Sequence, residues 1–191
     1  MTTDSSCNAS GLNPEETKGR LPERRMHEHE APIIVALQEM YTCKLKDTTF
    51  DIYQENAVFQ DPIGIAHGVD SIRAQFTALS KLFPRADITK FRILENPVNV
   101  PTNEILIDQD VAYYRDPDAS APTKTINSLL TLTFNDHNKI TSHVEEWDHK
   151  KSINGEDGFI GMINEARKKF TGKVIDTVVG KENKTEEKQQ T

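Results

Sequence analysis

Apolar residues recur along the chain first with a helical period and then with a period of two, and the change falls at Pro84. Pro32 suits a first helical turn, and Ile33, Ile34, Leu37, Met40, Tyr41 and Leu45 follow at helical spacing. Asp47 is a good N-cap for a short second helix, Thr48 to Gln54, which would offer Phe50 and Tyr53 to the core before Asn56 closes it. Ala57 to Gln60 read as a brief strand leading into Asp61. The third helix has the cleanest pattern: Val69, Ile72, Phe76, Leu79 and Phe83 recur at intervals of three and four between Gly68 and Pro84. Asp70 in its first turn suits the positive end of the helix dipole.

Beyond Pro84 the alternation predicts four strands, Ala86 to Glu95, Glu104 to Tyr114, Lys124 to Phe134 and Lys139 to Asp148. Their short connections imply antiparallel neighbours. A last helix is predicted from about Asp157 to Thr171, with Phe159, Ile163, Ala166 and Phe170 on one face. Its final turn holds Arg167, Lys168 and Lys169, and Gly172 supplies the C-cap. Helices followed by a run of strands make an α+β fold, a curved antiparallel sheet wrapped around helices to form a cone with an internal pocket.

The tails lack such patterning. Residues 1–30 are polar and charged with scattered prolines and glycines, and are expected to be disordered. The folded domain is expected over 31–172, followed by a charged tail over 173–191. His27-Glu28-His29-Glu30 has the residue types of a metal clip, but a solvated tail gives such ligands no rigid frame. No metal or other cofactor is expected, since there is no glycine-rich phosphate loop and no cysteine–histidine framework. The net charge of −7 and pI near 5.4 disfavour nucleic acid as a partner. No apolar run approaches a membrane span, and the N-terminus does not read as a secretory signal, so a cytoplasmic protein is expected. Cys43 is expected to be inert.

Two stretches carry candidate chemistry. Asp61 precedes Pro62 and sits between Phe59 and Ile63, which suits either a turn residue or the polar floor of an apolar pocket. On the last strand, alternation puts His143, Glu145 and Trp147 on one face and Val144, Glu146 and Asp148 on the other. If the first set points inward, Glu145 could orient His143 and raise its pKa.

The order of elements, with Gln60-Asp61-Pro62-Ile63-Gly64 after the short strand, GVDSIRAQF opening a helix and HVEEWD ending the last strand, resembles the nuclear-transport-factor-2-like superfamily, with its SnoaL-like domains and ketosteroid isomerases. The likeness covers about Ala31 to Lys150. In the isomerases a similar segment carries the catalytic base, which maps onto Asp61. Tyr41 lies near the place of their tyrosine donor. Their protonated aspartate falls near Leu130, where this chain has no acid, so steroid isomerisation as such is not implied. SnoaL-like proteins use acids and histidines that line the cone. The resemblance therefore implies a cofactor-independent isomerase, cyclase or dehydratase acting on a small apolar molecule. Asp61, His143 and Glu145 would be its catalytic residues, and Tyr41, Phe59, Ile63, Phe76, Leu79 and Trp147 its ligand contacts. The alternative is a non-catalytic dimerisation or protein-interaction module. The resemblance also implies a homodimer through the sheet face.

Overall fold

The computed structural model describes residues 7–151 and 158–168. Helix α1 is Ala31–Tyr41, with Pro32 in its first turn. Strands β1 (Tyr53–Asp61) and β2 (Gly64–His67) form a hairpin, and helix α2 (Val69–Leu82) follows. Four long strands come next: β3 (Arg85–Leu94), β4 (Glu104–Tyr114), β5 (Lys124–Phe134) and β6 (Ile140–Trp147). A helix, α3, covers 158–168. The predicted short helix is a single 3-10 turn, Thr49–Ile52. Tyr53 to Asn56 join β1 instead, with Tyr53 opposite Ile140 of β6; sheet pairing has overridden local helical spacing.

The sheet has six strands in the order β2-β1-β6-β5-β4-β3. It is open, and mixed rather than wholly antiparallel, because β1 runs parallel to β6. The chain reaches β6 by crossing from one edge to the other through α2 and returning strand by strand across β3, β4 and β5. The main core joins the sheet's inner face to the helices and includes Leu37, Phe59, Ile72, Phe83, Ile107 and Leu130.

The outer face has a second core. Leu94, Leu106 and Leu129 form an apolar strip that packs with Val100, Leu12 and the partly buried Leu21. Leu12 and Leu21 belong to the segment expected to be disordered. From Cys7 onward that segment is instead an ordered arm, because two isolated leucines find an apolar strip and its polar groups find partners. The Ala9 amide donates to Glu146 at 2.8 Å, and Thr17 meets buried His149 at 2.8 Å. Glu23 bridges Leu94, and Arg24 donates its amide to Ile93 at 2.8 Å, so the arm also covers the edge strand β3. In the histidine-rich stretch Glu30 is buried and pairs with Arg24 at 2.7 Å. The dimer expected through the sheet face would place a second copy against a surface this arm already occupies. The boundary at residue 172 and the tail over 173–191 lie outside the described residues.

Among the described residues no helix is long and apolar enough to cross a membrane.

Candidate functional site

The inner face of the sheet and the three helices enclose a cavity of about 410 Å³, mouth included. Its apolar walls are Phe59 on β1, Phe76 and Leu79 on α2, Ile126 on β5, Trp147 on β6, and Phe159 and Ile163 on α3. Polar groups enter from Tyr41, Asp61, Gln75, Tyr113, Glu145 and Arg167. Ile63, an expected ligand contact, packs against the main core but is not among the lining residues. It belongs to the β1–β2 turn.

Asp61 unites the two roles proposed for it. Its Oδ1 accepts the amides of Ile63 and Gly64, both at 2.9 Å, so it caps its own turn. Its Oδ2 takes Arg167 of α3 at 2.6 Å, and the carboxyl is only 5% exposed. Asp61 therefore reaches the pocket as a fixed charge already bound to its own protein.

The last strand presents its first set inward. His143 and Glu145 are buried under the helices, and Trp147 lines the pocket. Glu145 does not raise the pKa of His143, however, because Tyr41 stands between them. The Tyr41 hydroxyl donates to Glu145 Oε2 at 2.9 Å and lies 3.2 Å from His143 Nε2. Burial drives His143 down to about 3, so the ring is neutral and carries one proton. Tyr41 has spent its own proton on Glu145, which makes Nε2–H the donor to the Tyr41 oxygen. Nδ1 then accepts from the Tyr53 hydroxyl at 2.7 Å. Tyr53, His143 and Tyr41 each donate once along this chain, and Glu145 accepts at its end. Burial pushes the phenols of Tyr41 and Tyr53 well up, so both remain protonated.

Glu145 is the terminus of this chain. Burial pushes its carboxyl up to about 7, and the Asp61 charge adds to the push. Hydrogen bonds from Tyr41, Ser128 and Trp147 act in the opposite direction. Burial alone carries the Cys43 thiol up to about 12, which leaves it unreactive.

Among solved structures, a steroid delta-isomerase from Pseudomonas aeruginosa superposes on 81% of this chain and 98% of its own, with a TM-score of 0.53 at 10% identity. The fold is nuclear-transport-factor-2-like. An NTF2-like protein from Anabaena variabilis matches 70% of this chain and 96% of its own at 18% identity and TM-score 0.48. An NTF2-like protein of unknown function from Cytophaga hutchinsonii matches 65% and 93% at 13% identity and TM-score 0.47. At these identities the likeness concerns the fold alone. No family model matches the sequence, and no curated protein does.

Within this nuclear-transport-factor-2-like sheet, Leu130 of β5 is directly opposite Glu145 of β6, so both face the helices. An acid absent at Leu130 is thus present one strand over. Sequence reasoning missed Gln75, Tyr113, Arg167 and Tyr53. Arg167 meets Asp61 and Tyr53 meets His143 across ninety or more positions, and no local pattern marks such a pairing.

Proposed function

We propose that the cavity binds a small, largely apolar molecule and exchanges a proton with it through Glu145, without a cofactor. The single observation behind this reading is the Tyr41–Glu145 hydrogen bond in a pocket whose other walls combine apolar side chains with Asp61, Gln75, Tyr113 and Arg167. A carboxyl near neutrality is matched to proton transfer at ordinary pH. As the anion, Glu145 takes a proton from a carbon next to a carbonyl, leaving an enolate, and returns that proton to a second carbon. The sum is an isomerisation with no atom gained or lost. As the acid, it delivers its proton to a departing hydroxyl, which leaves as water, and the carboxylate so formed takes the proton of the neighbouring carbon as the C=C bond forms. Acid–base help of this kind is worth roughly 10²–10⁴-fold in rate. Asp61 is assigned here to the fixed polar floor, and His143 to positioning Tyr41.

The test compares wild type, Glu145→Gln and Asp61→Asn against steroids, polyketide-like phenols, fatty acids and terpenoids, first by thermal stability and then by turnover. A ligand at 100 times its Kd adds about 2.7 kcal/mol. Turnover that Glu145→Gln abolishes and Asp61→Asn retains supports the reading. Turnover that survives Glu145→Gln sinks it, and binding without turnover of any class leaves a binding module.

A further inference from the structure

Gln75 is a polar group of the cavity to which the proposed function gives no work. Gln75 projects from α2 into the cavity wall, and its Oε1 is buried with no hydrogen-bond partner among the described residues. Its neighbours Ile72, Phe76 and Leu79 give α2 an apolar inner face, so Gln75 interrupts that face at the cavity. A buried acceptor left unpaired is costly, and such groups in native proteins find a partner in water or ligand.

The charges beside it restrict what that ligand can be. Asp61 and Glu145 both bring carboxyl groups to the cavity, and among the described residues its lining cation, Arg167, is held by Asp61 at 2.6 Å. A carboxylate ligand would add a second or third negative charge to a half-enclosed apolar space. A ligand carrying only acceptors would leave Gln75 Oε1 unpaired.

We infer that Gln75 is the ligand-recognition residue of this pocket, and that its amide oxygen accepts a hydrogen bond from the hydroxyl of a neutral cyclic alcohol or phenol. The inference rests on the cavity being a ligand site and specifies the polar end of what it holds.

Trp147, the one tryptophan of the chain, lines the cavity and reports binding by its emission. The probes share one skeleton: 2-tetralol, 2-tetralone and tetralin-2-carboxylate, each titrated into wild type and Gln75→Leu. The alcohol is expected to bind wild type more tightly than either analogue. Gln75→Leu is expected to weaken the alcohol roughly three- to tenfold and to leave the ketone unchanged, since one neutral hydrogen bond is at stake. Leucine suits both the helix and the apolar face, and a thermal melt no lower than wild type confirms that the variant folds. If Gln75→Leu melts lower, Gln75→Met takes its place. The inference is overturned if the ketone or the carboxylate binds as tightly as the alcohol, or if the alcohol's affinity survives the substitution. Should none of the three change Trp147 emission at millimolar concentration, the cavity itself is not a ligand site, and the proposed function falls with the inference.

Discussion

Tyr41 donates its hydroxyl to Glu145 at 2.9 Å across 104 positions of sequence, from the end of α1 to the middle of β6. That bond steadies the carboxylate against burial, so its loss has a signed consequence. Tyr41→Phe should move the Glu145 titration above about 7 and carry the alkaline shift into any pH–rate profile. It should also cost roughly 1–3 kcal/mol of stability, since Glu145 and His143 both lose a partner. Acid denaturation and a pH profile of the variant check both.

Asp61 acts on Glu145 through its charge. Asp61→Asn keeps an oxygen that can accept the turn amides of Ile63 and Gly64 but removes one of the two causes that lift Glu145. The Glu145 titration should fall below about 7 in this variant, with activity retained and its pH profile moved toward acid. Loss of all activity in a folded Asp61→Asn protein would return the base role to Asp61.

Stability should depend on pH through two buried groups of opposite sign. Native Glu145 keeps a proton that the unfolded chain releases above about 4.5, so its contribution falls as pH rises from 4.5 to about 7, by roughly 3 kcal/mol in all. Native His143 refuses a proton that the unfolded chain accepts below 6.5, so its contribution falls as pH drops from 6.5 to about 3, by roughly 5 kcal/mol. Between 4.5 and 6.5 the two slopes cancel. Glu145→Gln removes one of them, and urea unfolding across this range should then show stability climbing with pH where the wild type is level.

The arm should be structural. Deleting residues 1–24 uncovers Leu94, Leu106 and Leu129 and removes the Ala9 contact to Glu146 and the Thr17 contact to His149. The truncated protein should melt at lower temperature and self-associate through the bared sheet, as light scattering would register. An unchanged melting temperature and mass would show that the arm contributes nothing.

Much of the fold is legible in the sequence because its signals are local. The 3.6 period from Val69 to Phe83 and the alternation after Pro84 each report a face that must be buried. Phe59, Phe76, Leu79 and Trp147 reach the pocket for that reason. Alternation also puts His143 and Glu145 on one face with Trp147, but only the packing of the helices makes that face the inner one. Their roles are not local. His143 is neutral because it is buried between two tyrosines, and Asp61 is occupied because Arg167 arrives from α3. The arm escaped notice because two leucines in a polar segment gain their value only from a strip on the far side of the sheet.

The account turns on Glu145 being a proton carrier at neutral pH, and a carbon-13 NMR titration of glutamate-labelled protein tests that most directly. The carboxyl resonance missing in Glu145→Gln identifies the residue. Its midpoint should lie near 7 in wild type and lower in Asp61→Asn. A midpoint near 4.5, unmoved by Asp61→Asn, would contradict the account, for the pocket would then hold an ordinary carboxylate with no proton to exchange.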